Sequence, residues 1–249
     1  MSQIIHEQPL NECVRICLIL EQMFLQARHD INHINNIWQT KNAVSNLIKI
    51  IIATDRPDLK SKITKALGQQ AASLSILDSN PQVDQAKLAA VISEIDDILD
   101  KLHANNNVQE LKEDSILKAI LQYSSTPGGA TNFNIPLFYL WLNKPHEEQQ
   151  VILKNWLEYF SEIESAVKML LKLLRNSQKM TKHDIDNGFF QQNLATNPVT
   201  QMIRVEIISE STNIWPEISV GRHRLAIYFN DAERKLYSNH LQFKLACCY

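Results

Sequence analysis

Apolar residues recur every three or four positions over the first two thirds of the chain, from Leu10 to about Arg175. This spacing places them on one face of a helix, and it therefore predicts a run of amphipathic helices. Interruptions in the pattern divide the region into separate predicted helices. The first has Asn11 near its start. The others cover residues 34–52, 59–74, 84–102, 113–123, a short segment around Trp141, and residues 147–175. The last of these is predicted as one long helix.

Capping residues mark two of the predicted helix starts. Asp55 is expected to cap the third helix, with Pro57 in its first turn, because aspartate accepts from the exposed N–H groups and proline lacks one. Asp84 is expected to cap the fourth helix in the same way. The chain holds only five glycines, so few positions are available to break these helices.

The apolar period changes to two after Asn176. Ile203, Val205 and Ile207 alternate with polar residues, and residues 224–229 and 240–246 repeat this alternation. A period of two, repeated between polar turns, predicts an antiparallel sheet with one buried face. The fold class is therefore α+β, with a predominantly helical N-terminal domain over residues 1–176 and a small antiparallel β-sheet domain over residues 177–249. The two parts are also compatible with packing as one unit.

The composition is typical of a globular intracellular protein. Hydrophobic residues make up 45% of the chain and charged residues 21%, and the net charge of −2 lacks the basic excess of a general nucleic-acid binder. Residues 1–7 lack the basic start and apolar run of a secretory signal. The longest apolar runs fall far short of the roughly 20 residues that span a membrane. We therefore expect a soluble cytoplasmic protein with reduced thiols, bound to neither nucleic acid nor membrane.

Two histidines are the first candidate for chemistry. His29 and His33 lie four residues apart, which places both side chains on one helix face, as in helical metal sites. No third ligand is recognisable and the general-base glutamate of the zinc-protease pattern is missing, so solvent-facing or capping histidines are the favoured interpretation. A metal-dependent enzyme that uses His29 and His33 is the alternative hypothesis.

Four cysteines and a glycine-containing turn complete the candidates. The cysteines lack the spacing of a zinc ribbon, so we interpret them as buried thiols that pack as small hydrophobic residues. They are Cys13, Cys17, Cys247 and Cys248. Residues 126–129, Thr-Pro-Gly-Gly, lack the Gly-Lys-Ser/Thr ending of a phosphate-binding loop and are interpreted as a turn. The chain shows no nucleophile elbow and no dinucleotide fingerprint, so we predict no enzyme activity, no catalytic residue, no metal and no cofactor.

A basic segment near the C-terminus has two interpretations. Arg222, Arg224 and Tyr228 share parity on a predicted strand over residues 222–229, so they are expected to lie together on one face. The opposite parity carries the apolar residues of the core. The exposed face is either merely solvated or a basic patch that binds a carboxylate-bearing peptide, and the pattern alone leaves both interpretations open.

Short motifs along nearly the whole chain, in order, resemble those of the ZapD family of cell-division factors. They are Pro9-Leu10-Asn11-Glu12 with Arg15, Arg56-Pro57-Asp58-Leu59-Lys60-Ser61, Thr126-Pro127-Gly128-Gly129 with Phe133-Asn134-Ile135-Pro136 and Trp141-Leu142, Asn187-Gly188-Phe189-Phe190-Gln191, Arg204-Val205, Trp215-Pro216-Glu217-Ile218-Ser219, His223-Arg224, and Phe243-Lys244-Leu245-Ala246-Cys247-Cys248. Each motif is weak by itself, but the ordered set is specific.

The resemblance implies a homodimer that binds the C-terminal tail of FtsZ, the tubulin-like division GTPase. Such a dimer cross-links FtsZ protofilaments into bundles, because two equal sites on one body join two filaments. It thereby promotes the assembly and stability of the Z ring at the mid-cell division site. The resemblance implies no enzyme activity and no cofactor for this chain.

The resemblance also implies a basic pocket for the FtsZ tail. The residues that it assigns to tail binding are Arg15, Arg56, Tyr139, Arg222, Arg224 and Tyr228. This chain departs from the family pattern at four positions. Ile19 and Ser115 stand where basic residues are common, Tyr139 replaces a usual histidine, and Tyr228 replaces a usual arginine. The lysines that are candidates to supply the missing charge are Lys60, Lys112 and Lys118.

Overall fold

The computed structural model describes residues 4–79, 81, 83–104, 107–123, 126, 131–195, 198–208 and 213–249. Its helices follow the predicted order and are α1 (Glu12–Asn32), α2 (Ile37–Thr54), α3 (Leu59–Ser75) with a 3-10 turn at Ile76–Ser79, α4 (Gln85–Ala104), α5 (Asn107–Leu111), α6 (Ser115–Tyr123), α7 (Pro136–Leu142), α8 (His146–Glu158) and α9 (Ser161–Asn176). The turn predicted at residues 126–129 lies outside the described residues after Thr126.

The strands form two antiparallel sheets. They are β1 (Ile5–Pro9), β2 (Thr181–Ile185), β3 (Phe189–Asn193), β4 (Met202–Ile208), β5 (Trp215–Val220), β6 (Arg224–Asn230) and β7 (Leu241–Cys248). One sheet has four strands in the order β1-β4-β7-β2, and the other has three in the order β3-β6-β5. The α+β class is confirmed. The single predicted sheet is wrong, because β6 pairs with β3 and β5 rather than with β4 or β7.

The chain divides into two compact units. The β unit consists of Met1–Ile16 and Leu171–Tyr249, and the helical unit is Cys17–Leu170. No strand was predicted at the N-terminus, but β1 pairs with β4 and so belongs to the larger sheet. Helices α1 and α9 each begin in one unit and end in the other.

The core of the β unit lies between its two sheets. Fully buried residues from both contribute to one cluster, including Val205 and Phe243 from the larger sheet and Leu225, Ile227 and Phe229 from β6. The rings of Phe229 and Phe243 lie 4.8 Å apart between centroids. Burial of these aromatic and aliphatic side chains supplies most of the driving force for the two-sheet packing.

Two details of the helical unit differ from the sequence prediction, and one is confirmed. Residues 147–175 form two helices, because the N–H of Phe160 donates to Leu157, three residues back, and the chain turns there. The turn buries Phe160 fully, with its ring 6.4 Å from that of Phe24. Asp55 ends α2 by donating its N–H to Ile51 rather than capping α3. The expected cap at Asp84 is confirmed, since its carboxylate accepts from the N–H of Lys87.

In the helix predicted over residues 34–52, the apolar residues in the centre are buried as expected, whereas two apolar residues of α2 nearer its ends are exposed. Val44, Leu47 and Ile51 are buried, whereas Trp38 is 73% exposed and Ile52 is also exposed. The exposed side chain of Trp38 is therefore available for contacts outside the core.

Each unit contains a nearly buried carboxylate that is bound by two cations. In the β unit Glu7 accepts from Arg175 at 2.9 Å and 2.7 Å and from Arg204 at 3.0 Å. In the helical unit Glu164, whose side chain is 4% exposed, accepts from Arg28 Nε at 3.0 Å and pairs with Lys168 at 2.6 Å. These clusters hold β1 to its sheet and α1 to α9.

A search of the described helices for one long and apolar enough to cross a membrane finds none.

Candidate partner-binding surfaces

The outer face of the three-stranded sheet carries two of the predicted site residues. Arg224 and Tyr228 are exposed on β6, while Leu225, Ile227 and Phe229 on the opposite face are fully buried. The predicted parity is therefore confirmed for these residues. Since β6 is the central strand of its sheet, hydrogen bonds on both sides fix the backbone that presents Arg224 and Tyr228.

Arg222 does not lie on this strand. It occupies the bend between β5 and β6, where the N–H of Gly221 donates to the carbonyl of Arg224 at 2.8 Å. The strand therefore begins two residues later than predicted. Arg222 is exposed and lines a cleft of about 400 Å³ that also includes Leu10, Val220 and Thr200 of the β unit.

Aromatic and polar neighbours surround Tyr228 on the outer sheet face. Its register partners are Phe189 on β3 and Glu217 on β5, and the rings of Phe189 and Tyr228 lie 5.0 Å apart. Phe189 follows Gly188, which has a positive φ of 64° and packs so closely on Tyr237 that a Cβ would collide with its backbone. The glycine thus fixes the turn that delivers Phe189 to this face. The sequence motif contained both residues, but periodicity did not identify Phe189 as part of the surface.

Arg15 is exposed near the start of α1, in the β unit. Its Nε lies 3.6 Å from the carboxylate of Glu12, one turn earlier, and both side chains are more than half exposed. Such a surface pair contributes little to stability. Arg15 is thus accessible to a partner, although no distance places it beside Arg222 or Arg224.

Arg56 belongs to the helical unit, in the bend that joins α2 to α3. It lines a cleft of about 330 Å³ together with Lys60, Pro57, Val108 and Ile163. Of the three lysines considered as replacements for missing charge, Lys60 shares this cleft. Lys112 is bound to Asp55 at its edge, and Lys118 pairs with Glu113 at 2.7 Å.

The carboxylate of Asp58 pairs with Arg56 and so offsets part of the positive charge in this cleft. Its Oδ1 lies 3.7 Å from Arg56 Nε. A hydrogen bond from Lys62, with the charge of Arg56 adding to it, lowers the pKa of Asp58. Asp58 is therefore ionised near neutral pH, and an incoming carboxylate would compete with it for Arg56.

Tyr139 lies on α7 in the helical unit, next to a cation that the sequence analysis missed. Its hydroxyl accepts from Lys41 Nζ at 2.8 Å. The same ammonium lies 4.6 Å from the centroid of the Tyr139 ring and 4.8 Å from that of Trp38. Lys41 thus places a positive charge beside Tyr139. Since Lys41 and Tyr139 are 98 residues apart, no local pattern connects them.

The histidine pair adopts a capping arrangement. His33 Nδ1 donates to the carbonyl of His29 at 2.6 Å, and the two rings are stacked 4.2 Å apart. Among the residues that the structure describes, no group of three or more His, Cys, Asp and Glu side chains is arranged to hold a metal ion. The bond satisfies a carbonyl in the last turn of α1, as a capping side chain does.

The four cysteines are reduced thiols, and they differ in burial. Cys17 and Cys248 are fully buried, whereas Cys13 and Cys247 are partly buried. The expectation of buried thiols is confirmed for Cys17 and Cys248, while Cys247 is partly buried and packs against the two-sheet core. Burial raises the pKa of both Cys247 and Cys248, which keeps the reactive thiolate scarce at neutral pH.

A sheet face that carries an exposed arginine and an exposed tyrosine is typical of surfaces that bind another protein. Comparison with known proteins identifies the family to which this chain is similar. Residues 18–228 match the model of the ZapD family, described as a cell division protein. The cell division protein ZapD of Coxiella burnetii is 35% identical over 257 positions, which cover 99% of this chain and 98% of the relative.

Two further relatives carry the same name. ZapD of Methylococcus capsulatus is 31% identical and covers 99% of this chain and 98% of its own length. ZapD of Ralstonia nicotianae is 29% identical and covers 98% of this chain and 99% of its own length. The chain belongs to the ZapD family of cell division proteins.

Proposed function

We propose that this protein is a non-enzymatic cell-division factor that binds the C-terminal tail of FtsZ in the cytoplasm at mid-cell. As a homodimer it cross-links FtsZ protofilaments into bundles and so promotes assembly and stability of the Z ring. Family membership supports a role in division. The observation that carries the binding mode is Arg224, exposed on a central strand whose other face is fully buried core.

The geometry at Arg224 suits a carboxylate. A guanidinium offers a planar pair of N–H donors that match the two oxygens of a carboxylate. The rigid strand beneath Arg224 lowers the entropic cost of holding those donors in place. Tyr228 and Phe189 on the same face add flat apolar area against which an extended peptide can lie.

Bundling additionally requires at least two tail sites on one particle. A homodimer meets this requirement, because its symmetry repeats every site once. Each weak contact along a pair of filaments then raises the effective concentration of the next. We therefore expect sedimentation equilibrium at micromolar concentration to give twice the 28.6 kDa chain mass. A strictly monomeric species that still bundles filaments would contradict this model of cross-linking.

Co-sedimentation with FtsZ filaments tests the proposed function. The protein is expected to pellet with filaments of full-length FtsZ and to stay in the supernatant with filaments that lack the C-terminal tail. Arg224→Ala should pellet less than the wild type in the same assay. Its matched control is Lys182→Ala, which removes one charge from an exposed position of the other sheet and should pellet like the wild type. Equal pelleting with both kinds of filament would show that the tail is not the binding partner.

A further inference from the structure

We propose that Lys41, held between Trp38 and Tyr139, is a further binding residue that receives a carboxylate of the partner peptide on the helical unit. This inference rests on the proposed function, since it assumes that the FtsZ tail is the partner. It adds to that function a further point of attachment beside Tyr139, built from a residue that neither the motifs nor the apolar periodicity single out.

The side chains around Lys41 fix its position. Its ammonium lies 4.8 Å from the Trp38 ring centroid and 4.6 Å from the Tyr139 ring centroid, so it sits between two aromatic faces. It also donates to the Tyr139 hydroxyl at 2.8 Å. A lysine ammonium has three N–H donors, and this hydrogen bond uses one of them. Within the described part of the chain, no carboxylate pairs with Lys41.

A lysine in this setting differs from an ordinary surface lysine. Free lysines lose considerable rotamer entropy when they form an ion pair, which is one reason why exposed pairs contribute little. The two rings and the hydroxyl already restrict Lys41, and they also displace part of its water shell. An incoming carboxylate therefore meets a positioned and partly desolvated charge.

The surroundings of Lys41 indicate which carboxylate fits. Trp38, whose ring lies against the Lys41 ammonium, is 73% exposed. One cation beside an exposed indole complements a peptide in which an acidic residue or terminal carboxylate lies next to an apolar residue. Since the tail is the peptide partner of the proposed function, we assign this surface to the tail.

Titration of a fluorescent FtsZ tail peptide into the full-length protein tests the assignment. Lys41→Gln removes the charge but keeps an N–H donor for Tyr139, and it should weaken binding roughly tenfold, whereas Lys41→Arg should keep most of the affinity. Lys41→Glu should weaken binding further, because it places like charges together. The matched control is Lys49→Gln, an exposed lysine two turns along α2, which should bind like the wild type. Circular dichroism melting confirms that each variant is folded.

The outcomes separate this inference from the proposed function. Wild-type affinity in folded Lys41→Gln and Lys41→Glu, with reduced affinity in Arg224→Ala, would overturn the role of Lys41 and leave the function standing. Absence of tail binding by the wild type would overturn both. Conversion of the Lys41 variants to half the wild-type mass in sedimentation would identify the surface as a contact between copies, which would also overturn the inference.

Discussion

The β unit uses arginine in two opposite ways. Arg175 and Arg204 both donate to the nearly buried carboxylate of Glu7, so this carboxylate already offsets their positive charge. Arg222 and Arg224 are exposed and, among the described residues, pair with no carboxylate. The first pair positions β1, whereas the second makes no contact that the core requires. The same side chain therefore signals structure or recognition according to whether its donors are already occupied.

The helical unit repeats this contrast. Arg28 and Lys168 are occupied by Glu164, while Lys41 is held by aromatic rings that leave its charge unneutralised. Replacing members of the occupied clusters should change the free energy of unfolding, and replacing the exposed cations should change binding alone.

The largest effect is expected for Glu7→Ala. The substitution leaves Arg175 and Arg204 close together without their shared acceptor, and we expect it to lower the free energy of unfolding by about 2–4 kcal/mol. Urea denaturation measures this loss. The control is Glu233→Ala, which removes an exposed pair with Lys235 and should cost less than about 1 kcal/mol. Equal stability of the two variants would show that Glu7 does not anchor β1.

A smaller effect, on binding alone, is expected for Arg56→Ala. Arg56 already interacts with Asp58, so an incoming carboxylate exchanges one partner for another, and we expect a loss of about 1–2 kcal/mol in tail affinity. Isothermal titration with the tail peptide measures it. Lys65→Ala, an exposed lysine on α3, is the charge-matched control. An unchanged affinity in folded Arg56→Ala would remove this cleft from the binding surface.

Acid should lower the free energy of unfolding by protonating Glu7, and this effect should be smaller than that of Glu7→Ala. Burial alone would raise the pKa of Glu7, but hydrogen bonds and charge from Arg175 and Arg204 outweigh it and lower the pKa below the ordinary 4.5. Its stabilisation is therefore complete above pH 4.5 and is lost as the pH falls through the lowered value. Thermal melting between pH 7 and pH 3 should show a shallower acid loss for Glu7→Gln than for the wild type. Parallel curves would contradict this linkage.

The smallest effect is expected at the C-terminal thiols. Replacing Cys247 and Cys248 by alanine removes sulfur from one fully and one partly buried position and should cost about 1 kcal/mol of stability. Tail binding should persist in the folded double variant, because neither cysteine is among the residues assigned to the tail. Loss of binding in a folded variant would reveal a role that this account lacks.

Sequence patterns predicted the elements whose own residues alternate or repeat. Strands β4, β6 and β7 were found in this way. Strands β1 and β5 contain proline, and β2 is largely polar, so long-range pairing rather than local pattern defines them. The turn at Phe160 carries neither glycine nor proline and was missed for the same reason.

The candidate site followed the same division. Parity placed Arg224 and Tyr228 correctly because both lie on one strand. It extended that strand wrongly to Arg222, which lies in the preceding bend. Lys41 could not be predicted at all, since its contact with Tyr139 exists only after α2 and α7 have packed.

The most direct test of the account is titration of the isolated FtsZ tail peptide against the wild type and Arg224→Ala, at low and moderate salt. Arg224 contributes nothing to the core, so its removal should leave the melting temperature unchanged. It should weaken tail affinity by about 1.5–3 kcal/mol, or roughly ten- to a hundredfold, and Arg224→Lys should recover only part of the loss. Binding should also weaken as salt is raised, because the contact is between opposite charges. Equal affinities of folded wild type and Arg224→Ala would show that this sheet face is merely solvated and would contradict the central claim.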